Sequence, residues 1–327
     1  MIGAGRLLVG VLLLGATASF AACGSSDPGA GIGEAGDGRP QILAVETFLA
    51  DITRNVAGDV VNVRSLVPVA ADPHAFELTP ADAVKVATCD VLVFNGAGFE
   101  PNMQQMLENI GDGAMVIEAA VGLASRTARE GEASDDHETP VDGETAAHGH
   151  DQGDPHFWLD PTLVVKYVEN IRDGLSTFDP GHAAAFAANA AAYIDSLKEL
   201  DSWIAEQVAA IPADRRLLVT NHESLGYYAD RYGFTVVGTI MPSVSSGAAP
   251  SARQLAELIG TIRETGVRAI FLETGSNPDL AEQVAAETGI TVVTQLYTHS
   301  LTAAGGAAPT YIDMMRANTE AIVTALK

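Results

Sequence analysis

Cysteine is scarce in this chain of 327 residues, which has only Cys23 and Cys89. Two cysteines are too few for a disulfide-stapled scaffold or a thiolate zinc finger, so any metal chemistry falls to histidine and the carboxylates. Basic residues are also few: 18 Lys and Arg stand against 42 Asp and Glu, a formal net charge of -24. A phosphate backbone would be repelled by that charge and would find no basic stripe, which excludes nucleic acid as a partner. Beyond the N-terminus, no apolar stretch is long and uniform enough to span a bilayer. What the chain does have is 47% hydrophobic residues, enough to bury the cores of one large domain or two ordinary ones.

Residues 7–22 form an apolar run after Arg6, of signal-peptide length and short of the ~20 residues a spanning helix needs. Residues 1–22 therefore read as an export signal, which places the mature protein at the outer face of the cell membrane or in the periplasm. The run ends in Phe20-Ala21-Ala22-Cys23-Gly24, which resembles a bacterial lipoprotein cleavage box, with Phe20 where leucine is usual and a single positive charge ahead of the run. The resemblance implies a lipid anchor on Cys23; the competing reading is plain secretion after an Ala-x-Ala-like cut. Residues 23–40 are rich in Gly, Ser and Asp and suit a flexible tether. Cys89, left without a partner, reads as a small core residue.

From Gln41 onward, short apolar runs alternate with amphipathic segments, the pattern of βαβ units around a parallel sheet. Strands are expected at 42–45, 60–67 and 91–94, with helices near 48–56, 80–86 and 101–109. A helix over 161–175 follows. Asp179-Pro180 then offers an N-cap and an N1 proline to an Ala-rich segment that runs to 211 without internal proline. A continuous helix there would be ~45 Å long, which suits a strut between lobes better than a crossover. The alternation resumes with strands at 217–220, 236–240, 269–272 and 291–296 and helices near 225–232, 252–265, 279–288 and 311–326. The fold class is α/β: two lobes, 41–178 and 212–327, each with a mostly parallel sheet flanked by helices, joined by one long rigid α-helix over 179–211. An acidic insertion over 130–153 interrupts the first lobe. It carries His137, His148 and His150 and has no apolar periodicity, which marks it as a loop whose histidines are candidates for accessory metal binding.

Eight histidines are present, and their positions sort them. His182 falls in the first turn of the strut, where exposure is the default. His74, His222 and His299 follow predicted strands, and ligands of open α/β sheets gather beyond the carboxyl ends of strands. His156 joins them through its local sequence, because Asp72-Pro73-His74 and Asp154-Pro155-His156 repeat one tripeptide. Proline stiffens the loop that presents the imidazole, and aspartate can accept a hydrogen bond from it. A lone histidine in a loop is more often a satisfied polar residue than a ligand. Four at comparable ends of the fold, with no competing cysteine or carboxylate motif, point to one shared metal site.

Several stretches carry a family resemblance. Asp72-Pro73-His74-Ala75-Phe76-Glu77, Asn95-Gly96-Ala97-Gly98-Phe99-Glu100, Asp154-Pro155-His156-Phe157-Trp158-Leu159-Asp160-Pro161, Asn221-His222-Glu223-Ser224-Leu225-Gly226 and Tyr311-Ile312-Asp313-Met314-Met315 occur in that order. They resemble the solute-binding lipoproteins of zinc and manganese ABC importers, the helical-backbone metal receptors, across nearly the whole mature chain. The resemblance implies His74, His156 and His222 as ligands, an ABC permease as partner, and a monomer tethered to the membrane. The family usually places Asp where this chain has His299, in Tyr297-Thr298-His299-Ser300-Leu301. Four imidazoles suit Zn²⁺, whereas Mn²⁺ prefers carboxylate oxygen. The alternative is that His299 turns away and water or Glu223 completes the shell. Four neutral ligands also leave the charge of the ion uncompensated, so carboxylates are expected nearby.

A zinc hydrolase is the rival from another class. It needs an open coordination position and a general base, commonly in an H-E-x-x-H helix. His222-Glu223 has glycine at 226 where the second histidine would stand. The sequence therefore points to a binding protein and not an enzyme, with a surface adhesin as a further role that it leaves open.

Overall fold

The computed structural model describes residues 38–100, 102–126, 153–241 and 250–327. The export signal, Cys23 and the insertion histidines His137, His148 and His150 lie outside the described residues. In chain order the first lobe has β1 (Gln41–Ala44), α1 (Thr47–Ala57), β2 (Asn62–Ser65), α2 (Pro80–Thr88), β3 (Val91–Phe94), α3 (Met103–Asn109) and β4 (Met115–Glu118). Helices α4 (Pro161–Phe178) and α5 (Ala183–Ala209) follow. The second lobe has β5 (Leu217–Thr220), α6 (Gly226–Tyr232), β6 (Thr235–Thr239), α7 (Ala252–Thr265), β7 (Ala269–Glu273), α8 (Asp279–Thr288), β8 (Thr291–Leu296) and α9 (Tyr311–Leu326).

Both sheets are parallel and share one topology, β2-β1-β3-β4 in the first lobe and β6-β5-β7-β8 in the second. The central strands are apolar runs because helices cover both faces of a parallel sheet, and Val91–Val93 and Ala269–Leu272 are buried accordingly. The helices begin and end at side chains suited to it. Thr79 and Ser251 form capping boxes for α2 and α7, and Asp160 accepts from Thr162 N ahead of Pro161 at the start of α4. Gly266 and Gly289 end α7 and α8 in the left-handed region.

The long helix differs from expectation at its start. Pro180–His182 is a 3-10 turn and the α-helix begins at Ala183. The Asp179 carboxylate, instead of capping, holds the half-exposed His182 imidazole at 2.6 Å. Across its 27 residues, about 40 Å, α5 buries Phe186, Ala190, Tyr193, Leu197, Leu200, Ile204 and Val208 at three- and four-residue spacing. The helix packs on α4, α1 and α9. One apolar cluster therefore runs from Ile42, Phe48 and Trp158 through α5 to Phe271, Tyr311 and Ile322. A smaller core under the outer face of the first sheet contains Leu43, Val86, Leu92 and Cys89, which is buried and free.

Candidate metal site

The first of the histidine-bearing loops follows β2. Asp72 Oδ1 accepts from His74 N at 2.9 Å, closing a 3-10 turn over Pro73–Ala75. The second copy folds the same way: Asp154 Oδ1 accepts from His156 N at 3.0 Å ahead of the 3-10 turn Phe157–Leu159. In both, the short aspartate side chain substitutes for a backbone turn partner, and proline fixes the intervening φ. His222 lies two residues beyond β5, where Thr220 Oγ1 and Ser224 N both donate to its carbonyl. His299 lies three residues beyond β8, and Trp158 Nε1 donates to the neighbouring Thr298 O at 2.6 Å.

These loops bring the four imidazoles together at the carboxyl ends of the two sheets. His156 Nε2 lies 3.3 Å from His74 Nε2 and 3.4 Å from both His222 Nε2 and His299 Nε2. The four donor atoms all fall within 4.8 Å of one another. Two nitrogens bound to a tetrahedral zinc ion at about 2.0–2.1 Å stand about 3.3–3.4 Å apart, so the three distances from His156 match edges of such a tetrahedron. His156, His222 and His299 are buried and His74 is partly so. Phe99 sets its edge on His74 at 4.8 Å between centroids and packs on Trp158, which keeps water from that side.

The outward ring nitrogens of His156, His222 and His299 face acceptors. His156 Nδ1 lies 2.8 Å from Asp154 Oδ1. Glu273, the last residue of β7, places Oε1 2.8 Å from His222 Nδ1 and Oε2 3.5 Å from His299 Nδ1. The His222 contact lies off the N–H direction, so it is an electrostatic contact more than a hydrogen bond. Thr298 Oγ1 lies 3.2 Å from His299 Nδ1. Acceptors at Nδ1 favour the tautomer with the proton there, which aims the Nε2 lone pairs at one another. A cluster of converging lone pairs in a buried site is stabilised by a cation at its centre.

The protonation equilibria follow from this packing. Burial, then the charge on His222, lowers the His74 pKa to about 4. Burial likewise holds His156 and His299 well below the ordinary imidazole value. For His222 burial acts downward too, but the Glu273 carboxylate outweighs it and the net shift is upward. Burial would raise Glu273, yet His222, His299 and Ser224 together hold it below the usual carboxylate range. Burial raises Asp154 to about 6 against the pull of the His156 N–H and Arg126.

Glu223 is buried, and among the described residues the metal-capable cluster is made of the four imidazoles without it. Two residues escaped sequence reasoning. Glu273 carried a signal, a lone acidic residue closing the apolar run Ala269-Ile270-Phe271-Leu272 at a carboxyl end. Arg126, which contacts Asp154 at 3.1 Å, carried none. A cavity of about 430 Å³ adjoins the cluster, lined by Asp72 and His74 from one lobe and by Asn221, Glu273, Ser276 and His299 from the other.

Residues 42–325 match the family model described as zinc-uptake complex component A, periplasmic. The chain is 33% identical over 306 residues to the manganese-binding lipoprotein MntA of Halalkalibacterium halodurans, covering 94% of each. It is 32% identical over 282 residues to the iron-binding protein YfeA of Yersinia pestis, covering 86% of this chain and 85% of that one. Among solved structures, the periplasmic zinc-binding protein TroA of Treponema pallidum superposes with a TM-score of 0.77 at 25% identity, over 88% of this chain and 99% of that one. With the family model spanning both lobes and the helix between them, the chain belongs to the periplasmic zinc-uptake complex component A family.

Proposed function

We propose that this protein is an exported receptor that captures Zn²⁺ with His74, His156, His222 and His299 and delivers it to the permease of an ABC importer. The observation that carries this reading is the set of 3.3–3.4 Å separations from His156 Nε2 to the other three imidazoles. Relatives named for manganese, iron and zinc leave the metal to be argued from the donors. Nitrogen-only tetrahedral sites favour zinc, and manganese favours oxygen-rich octahedral ones. Four protein ligands also leave no open position for a reactive water, which supports a carrier over a hydrolase. Lipidation of Cys23 would hold the receptor at the membrane, and no helix among the described residues is long and apolar enough to cross one. The insertion histidines His137, His148 and His150 would collect zinc weakly near the site.

The test is competition titration with Zn²⁺ and Mn²⁺ on the wild type, His299→Ala and His299→Asp. Zinc should bind the wild type in strong preference to manganese. The alanine variant should lose at least about tenfold in zinc affinity, and the aspartate variant should recover binding with a narrower preference, because a hard oxygen replaces a nitrogen. Unchanged zinc affinity in His299→Ala would favour three histidines with water or Glu223.

A further inference from the structure

Arg126 stands where the chain leaves the first lobe for the insertion, and it returns to the site through Asp154. The two backbones pair in an isolated antiparallel bridge, with Asp154 N donating to Arg126 O at 3.1 Å. The guanidinium spans two carboxylates: Nη1 donates to Asp154 Oδ2 at 3.1 Å and Nε to Asp230 Oδ2 at 2.6 Å. Tyr227 Oη accepts from Arg126 N at 3.0 Å and donates to Asp154 O at 2.7 Å. Asp230 and Tyr227 both belong to α6, in the second lobe.

Two features show that the approach is built in. The Arg126 and Asp154 side chains are only 16% and 2% exposed, so water screens this pair weakly. A Cβ at position 226 would lie 1.7 Å from Arg126 Nη1 and 2.8 Å from Asp154 Oδ2. Glycine is therefore required there for the guanidinium to reach Asp154. The other Asp154 oxygen is the one at 2.8 Å from His156 Nδ1, and His156 is the imidazole from which the other three are spaced.

We propose that Arg126 is a positioning residue for metal binding, fixing Asp154 and through it the His156 ring, and anchoring both to the lobe that carries His222 and His299. This rests on the reading of the four-histidine cluster as the metal site. Its logic is geometric. A planar fork held at two ends sets the direction of Asp154, and Asp154 sets the ring plane of His156. A small rotation of that ring changes its separation from the other three imidazoles together.

The test compares zinc affinity, by chelator competition, and the cobalt(II) d–d spectrum of the wild type, Arg126→Met and Arg126→Lys, with thermal melting as control. Arg126→Met should bind zinc at least about tenfold more weakly and shift the cobalt bands, the loss typical of removing a partner behind a ligand. Arg126→Lys keeps a charge on Asp154 and should recover most of the affinity. Should the methionine variant fail to fold, Asp230→Asn releases the same anchor at a half-exposed site and should weaken zinc by about threefold, less than the roughly tenfold or more expected where a ligand's direct partner is lost, with melting unchanged. Wild-type affinity and an unshifted spectrum in a folded Arg126→Met, or wild-type affinity in Asp230→Asn where the methionine variant does not fold, would overturn the positioning role. A wild type that binds neither zinc nor cobalt would instead overturn the metal-site reading beneath it.

Discussion

A divalent ion held by four neutral imidazoles would bring its full charge into a buried cluster, and the Glu273 carboxylate, 2.8 Å from His222 Nδ1 and 3.5 Å from His299 Nδ1, would offset one unit of it. Glu273→Gln keeps the shape and removes that charge. Zinc affinity at pH 8 should fall by about 10–100-fold, measured by chelator competition, and an unchanged value would show that Glu273 does not compensate the ion. The same residue sets the pH response. In the metal-free site His222 is the imidazole raised above its ordinary pKa, while the other three are lowered, His74 to about 4. Among the four imidazoles, metal must therefore displace one proton, from His222, once the pH falls below its pKa. Between pH 8 and 5 the apparent dissociation constant should rise toward about tenfold per pH unit, and a slope of three or four protons would contradict this assignment. The dependence should shrink in Glu273→Gln, where the downward pull of burial on His222 is opposed only by the Asp72 and Asp154 carboxylates. At this scale the sequence made the histidines legible through the repeated Asp-Pro-His and their places after strands. Arg126 was not legible, because its partners Asp154 and Asp230 lie 28 and 104 residues away and no local pattern links them.

Two other loops of the first lobe, beyond β1 and beyond β3, together carry a buried pair of carboxyls. Glu100, beyond β3, accepts from the N–H groups of Asn95 and Gly96. Glu46, beyond β1, is fully buried and both its oxygens lack a donor. A proton on Glu46 would supply a donor toward Glu100. Burial and the Glu100 charge raise Glu46 well above the carboxylate range, and burial lifts Glu100 to about 7. Both folded values exceed the unfolded ones, so this stabilisation is full below about pH 4.5 and is lost as pH rises through about 7. Denaturant unfolding of metal-free protein between pH 5.5 and 8 should show stability falling by up to about 1.4 kcal/mol per pH unit for each proton released. Glu46→Gln should flatten that fall; an equal slope in the variant would rule out the shared proton.

Most elements were legible at this same scale because caps and apolar runs agree. β3, β5, β8, α7, α8 and α9 span the residues the sequence pattern assigns. β4 (Met115–Glu118) was not legible, since a four-residue edge strand with Val116 exposed has no alternation to detect. β2 is shorter than its apolar run because Gly58–Val60 forms a 3-10 turn before it.

At the scale of the whole molecule, the lobe–helix–lobe order was legible from the Ala-rich segment between two βαβ patterns. Less legible was that α5 is no free strut. Its buried stripe joins α1 and α4 to α9 in one apolar cluster, and wide separation of the lobes would expose part of that cluster at roughly 25 cal/mol per Å². Metal exchange should therefore proceed by small shifts of the ligand loops. X-ray scattering of metal-free and zinc-loaded protein should give radii of gyration within about 1 Å of each other, far less than wide hinge closure requires, and a larger change would contradict a shared core.

The most direct test of the account is the coordination shell of the bound ion, read by zinc K-edge X-ray absorption on the stoichiometrically loaded protein. The account predicts four nitrogen neighbours at about 2.0–2.1 Å, with multiple scattering from four imidazole rings and from one fewer in His299→Ala. A six-coordinate shell, or a carboxylate oxygen in place of an imidazole in the wild type, would contradict it.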